Sequence, residues 1–154
     1  VADSPSSAPP RLDDLLSYRL AVAGRLLRGW VDAGLAAEDV GAQGLGLLLR
    51  LVERDGLTQI ELARRQRVEA PTVCRMVDRL VRDGLVERLP HPDDRRASRV
   101  VLTDEGRRVA ERGMAVVADL EARAFADLDA GQRDALMAAA QRVIDWAQTG
   151  PSSA

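Results

Sequence analysis

Residues 57–102 read LTQIELARRQRVEAPTVCRMVDRLVRDGLVERLPHPDDRRASRVVL, and the punctuation of this stretch decides the fold. Thr58 followed by Glu61 is a capping box: the hydroxyl accepts from the Glu61 N–H while the carboxylate reaches back to the Thr58 N–H, so a helix starts at Gln59. It runs to Gln66, after which Arg67, Val68 and Glu69 interrupt the pattern, with Val68 as the apolar anchor of the turn. Pro71 sits in the first turn of the next helix, where a missing N–H removes no helical bond. From Ala70 to Asp83, Val73, Met76, Val77, Leu80 and Val81 recur at helical spacing as one apolar stripe, and Thr72, Arg75, Arg79 and Arg82 line the opposite face. Gly84 caps the end. Leu85 to Leu89 and Arg99 to Leu102 then read as short strands joined through Pro90–Arg96, whose prolines and aspartates forbid a helix.

A short capped helix, a tight turn, an arginine-faced helix and a polar hairpin follow one another in the order of a winged helix-turn-helix. An arginine face on an isolated amphipathic helix is most simply a solvated surface. Here the hairpin changes the reading, because Arg95 and Arg96 stand beside the helix where a guanidinium can enter a narrow minor groove. Arg75 on the helix offers paired donors to guanine in the major groove, and Thr72 a hydroxyl to phosphate. Asp94 is placed to hold Arg96 by an ion pair before DNA arrives.

The run ELARRQRVEAPTVCRMVDRLVRDGLVERLPHPDDRRASRVVLTDEG, residues 61–106, closely resembles the winged-helix core of the MarR family of bacterial regulators, most specifically in Asp94-Arg95-Arg96-Ala97 and in the later Leu102-Thr103-x-x-Gly106. The resemblance implies a homodimeric, ligand-responsive repressor of nearby genes. It carries DNA contacts over to Ala70, Thr72, Cys74, Arg75 and Arg79 and a wing motif to Asp94, Arg95 and Arg96, and Thr58 is assigned to the same interface. The chain departs from the family pattern at Gln66-Arg67, where Leu-Gly is usual, and at Cys74, where Ser or Thr is common. The effector implied is a small aromatic or phenolic molecule held between flanking helices and core, with Tyr18, Arg19, Arg25 and Trp30 as candidate contacts.

The fold class expected is mainly α with a small β-hairpin wing: a winged core at residues 41–102, a disordered tail at 1–10, an N-terminal dimerisation helix and loop at 11–40, and C-terminal dimerisation helices at 103–150. Leu15, Leu16, Leu20, Ala23, Leu26, Leu27 and Trp30 trace the first helix from Leu12. A second, from about Gln43 to Arg54, turns Leu47, Leu48, Leu51 and Val52 inward. Thr103 caps a long helix that reaches about Asp127, and Asp129 starts the last. A winged helix needs only part of 154 residues, so the terminal helices either wrap the core of one chain or pair with those of a second copy. Pairing sets two recognition helices about one DNA turn, ~34 Å, apart and calls for a pseudo-palindromic double-stranded operator.

Net charge is −2, yet residues 58–100 carry ten arginines against seven carboxylates, so positive charge gathers where phosphate would be met. All 22 basic residues are arginine. One cysteine excludes an internal disulfide framework and suits a reducing cytoplasm; neither a signal peptide nor a membrane span is read, and no membrane partner is expected. A single His91 and a single Cys74 support no metal cluster, cofactor or hydrolytic triad, so no enzyme is expected. Three other readings stay open: a regulator without a ligand, an oxidant sensor through Cys74, and a helical protein-interaction adaptor.

Overall fold

The computed structural model describes residues 11–94 and 97–149. The chain divides into two compact units, one up to Val117 and one from Ala118. In the first, a 3-10 turn at Leu12–Asp14 precedes α1 (Leu16–Gly34). The helical spacing read from Leu12 therefore becomes α-helix one turn later, because Leu15 is extended and no side chain caps the start. A second 3-10 turn, Ala36–Glu38, leads through Asp39, which is left-handed at φ 49°, into α2 (Ala42–Glu53). Gly41 offers no side-chain cap, and the carboxylate of Asp32 on α1 accepts from the Ala42 N–H at 2.6 Å in its place.

Leu45, Leu47, Leu48 and Leu51 of α2 are buried. Val52, expected to turn inward, is 49% exposed: it falls at the edge of the stripe, one residue before the helix ends. The chain then makes β1 (Leu57–Thr58), α3 (Gln59–Gln66), α4 (Ala70–Arg82), β2 (Val86–Pro90), β3 (Ser98–Leu102) and α5 (Asp104–Ala124). β3 lies between β1 and β2, antiparallel to both, with Leu57 opposite Val100 and the hairpin register running from Val86–Leu102 to Pro90–Ser98. β1 leaves no mark in the sequence, since two residues are too few to show alternation. Leu47, Leu62, Val73, Val77 and Val100 are fully covered at the centre of the core, each contributing roughly 1.5–3 kcal/mol of burial. Val68 packs against them, as the anchor of the turn should.

The joint between α4 and α5 explains the Leu-Thr-x-x-Gly pattern. Gly84 turns the chain at φ +70° after α4. The Thr103 N–H donates to the Leu85 carbonyl at 3.1 Å, its hydroxyl donates to the Gly84 carbonyl at 2.8 Å, and the same oxygen accepts from the Gly106 N–H at 2.9 Å. A Cβ at Gly106 would overlap the Leu85 carbonyl oxygen. This close approach locks the start of α5 to the root of the wing.

The second unit holds the end of α5 and α6 (Ala130–Thr149). α5 stops at Ala124, short of the expected Asp127, where the Arg133 guanidinium takes the Phe125 and Leu128 carbonyls and stabilises a turn. Asp129 and Gln132 cap α6 reciprocally, at 3.0 and 2.8 Å. No residue of α6 is buried, and Met137 and Trp146 are 70% and 65% exposed.

Candidate nucleic-acid interface

The capping box forms as the spacing requires. Thr58 Oγ1 accepts from the Glu61 N–H at 3.2 Å, and Glu61 Oε2 accepts from the Thr58 N–H at 2.8 Å and from its hydroxyl at 2.9 Å. These bonds, the backbone one foremost, hold the Glu61 carboxyl below its ordinary range. The Thr58 side chain is thus engaged in starting α3. At the other end of α3, Arg67 adopts φ 56°, and the Val68 N–H returns to the Ala63 carbonyl at 3.1 Å. The turn needs a left-handed residue there, which is why Leu-Gly would suit it.

Val73, Val77 and Leu80 bury the inner face of α4. Its outer face carries Ala70, Cys74, Arg75, Arg79 and Arg82, all exposed, with Thr72 half-buried. Arg75 Nη2 donates to Thr72 Oγ1 at 3.3 Å, which brings these two candidates together near the helix N-terminus. The Cys74 thiol donates to Gln59 Oε1 on α3. Arg79 turns away from that group: Nη2 donates to the Asp39 carbonyl at 3.3 Å and lies 3.7 Å from its carboxylate, while Nε is 3.5 Å from Asp83. Sequence placed Arg79 with Thr72 and Arg75; the structure engages it with the loop before α2. Asp94 is exposed at the wing tip, where its carbonyl accepts from the Ala97 N–H at 3.1 Å. Arg95 and Arg96, and with them the expected Asp94–Arg96 pair, lie outside the described residues.

A cavity of about 280 Å³ opens beside Arg79, between α1, the Asp39 loop, the start of α2 and α4. Val40, Met76 and Leu80 supply its apolar wall, and Arg28, Asp32 and Asp83 its charged rim. Tyr18 and Arg19 line a separate open recess on α1 with Val22 and Leu26, and Arg25 lines another with Leu20. Trp30 lies in neither recess nor the cavity and is 54% exposed. The sequence reading missed Arg28, Asp32 and Asp39, whose contacts join residues of separate elements and leave no local pattern.

Three carboxylates also tie elements together unannounced by any motif. Asp55 accepts from the Leu102 N–H at 3.0 Å and from Arg107 at 2.8 Å, joining the end of α2 to β3 and α5. Glu38 accepts from Arg112 of α5 at 2.7 to 2.9 Å. Asp78 of α4 pairs with Arg88 of β2 at 2.6 Å. Among the described residues no cluster of His, Cys, Asp and Glu could hold a metal ion, and no helix is long and apolar enough to cross a membrane.

Comparison with known proteins bears on this arrangement. Residues 44–98 match the model of the MarR family. The HTH-type transcriptional repressor Mb2911 of Mycobacterium bovis is 32% identical over 121 residues, 79% of this chain and 87% of that protein. Among solved structures, the PcaV transcriptional regulator of Streptomyces coelicolor in complex with its natural ligand superposes with a TM-score of 0.79 at 29% identity, covering 91% of this chain and 99% of that one. A mutant MarR of E. coli complexed with operator DNA gives 0.78 at 28% identity, covering 83% and 92%.

Proposed function

The chain belongs to the MarR family of transcriptional regulators, and from that premise we propose that it is a homodimeric, cytoplasmic repressor that binds a pseudo-palindromic operator and is released by a small aromatic or phenolic ligand. The observation that carries this reading is the outer face of α4. Its N-terminal half presents Thr72 and Arg75 to solvent beside a wing whose tip bears Asp94, Arg95 and Arg96 in sequence. In this reading Ala70 and Cys74 approach the groove, Thr58 orders α3 against the phosphate backbone, and Arg75 reads a base. Arg79 couples the helix to the effector seat.

The cavity beside Arg79 is the better seat for the effector than the Tyr18–Arg19 recess, because it touches α4 and the recess does not. A ligand shifts DNA affinity only by its preference for one state over the other, so it has to reach a group that moves with the reading helix. Arg79, held by the loop at Asp39, is such a group. Tyr18, Arg19, Arg25 and Trp30, first offered as effector contacts, are then assigned to the α1 surface that a second copy would cover.

Selection of bound duplexes from a random pool tests the reading, followed by gel-shift titration of Arg75→Ala and of a panel of phenolic acids. Enrichment of an inverted repeat is expected, with Arg75→Ala costing about 1–3 kcal/mol of specific binding and relaxing one base position. At least one phenolic acid should weaken the complex. A chain that enriches no sequence sinks the regulator reading, and a panel without effect removes the ligand from it.

A further inference from the structure

Asp78 and Arg79 are consecutive on α4 and reach different partners: Arg79 the Asp39 loop, Asp78 the wing strand β2, where its Oδ1 takes Arg88 Nη2 at 2.6 Å. Asp78 is the single carboxylate between Ala70 and Arg82. A carboxylate on a helix that approaches phosphates raises the cost of every encounter unless a cation neutralises it. Arg88 does so from β2, two residues before Pro90, where the paired register with β3 continues to the root of the wing tip. Its side chain is 33% exposed, the more covered partner of the pair.

Resting on the regulator reading above, we propose that the Asp78–Arg88 pair sets the position of the wing against the recognition helix, and that Arg88 is a positioning residue instead of a phosphate contact. The pair holds β2 at one distance from α4, so that the wing tip and the N-terminal half of α4 meet adjacent grooves in fixed relation. It also cancels the one negative charge on the reading helix.

The test uses the full chain and a duplex carrying the site that the wild type selects from a random pool, with Arg88→Ala, Arg88→Lys, Asp78→Asn and the double variant Asp78→Asn/Arg88→Ala. Arg88→Ala is expected to lower specific affinity about five-fold, the upper range for a partly exposed pair, with the melting midpoint lowered by no more than about 2–4 °C. The slope of log affinity against log salt should stay unchanged, whereas loss of a phosphate contact would reduce it by about one. Arg88→Lys should recover most of the affinity. Asp78→Asn should tighten binding to random DNA while lowering the ratio of specific to random binding, and the double variant should be no weaker than Arg88→Ala. Additive losses in the double variant, or a reduced salt slope for Arg88→Ala, overturn the inference while leaving the regulator reading standing. A wild type that selects no site overturns both.

Discussion

Arg67 shows what a single backbone position asks of a side chain. The α3–α4 turn places it at φ 56°, a region where a Cβ crowds the following carbonyl at a cost of roughly 1 kcal/mol. Glycine adopts the same angle without that contact. Arg67→Gly is therefore expected to raise the melting midpoint by about 3 °C, a change of roughly 1 kcal/mol for a chain of this size, as measured by calorimetry at neutral pH. An unchanged or lowered midpoint would mean that the arginine makes compensating contacts in the turn. Thr58 carries the opposite lesson: its hydroxyl is engaged, as the capping-box spacing requires, in starting α3. Its bonds with Glu61 fix where α3 begins.

Elements are held to one another by pairs that no local pattern displays. Arg112 on α5 binds Glu38 in the α1–α2 connection through hydrogen bonds of 2.7 to 2.9 Å and reaches Glu105 at 3.3 Å. The hydrogen bond from Arg112 is the largest influence on Glu38 and holds its carboxyl below the ordinary 4.5, against its own burial and the nearby charge of Glu105, while Arg112 itself is pushed further up and stays charged. A lowered folded value means that this stabilisation is complete above pH 4.5 and is lost as the pH falls below it, when Glu38 protonates in the folded chain. Glu38→Gln should thus melt below the wild type near neutrality, and the two midpoints should converge in acid; a constant gap down to pH 3 would remove the pair from the account. The same contrast marks how far sequence reaches. α3, α4, the hairpin and the caps at Thr58, Thr103 and Asp129 were legible, because each is written in residues a few positions apart. β1 is too short to show a period, and Asp32, Asp55 and Arg112 act across 10, 47 and 74 residues, where only the folded chain brings partners together. The site was half legible for the same reason: Thr72 and Arg75 are neighbours by helical spacing, whereas the engagement of Arg79 by Asp39 depends on a loop 40 residues away.

At the scale of the molecule, the single chain leaves much apolar surface uncovered. On α1 no residue is buried, and Leu16, Leu26 and Trp30 are 68%, 49% and 54% exposed. α6 repeats the pattern with Met137 and Trp146. Scattered exposed leucines need no explanation, but helices with an apolar stripe and no buried residue do, since the stripe gains nothing from water. A second copy is the simplest cover, and it would also supply the second recognition helix that a palindromic site requires. Sedimentation should then give a dimer, with a melting midpoint that rises with protein concentration, because association stabilises by mass action. Trp30→Glu puts a charge into the covered stripe: it should yield a monomer whose midpoint no longer depends on concentration, and whose affinity for the full inverted repeat drops to that for a single half-site. Trp30 does not line the cavity beside Arg79, so a loss of DNA binding in this variant without dissociation of the dimer would point to a different role for α1. A wild type that sediments as a monomer at every concentration would leave the exposed stripe without its cover, and the two-fold operator without its reader.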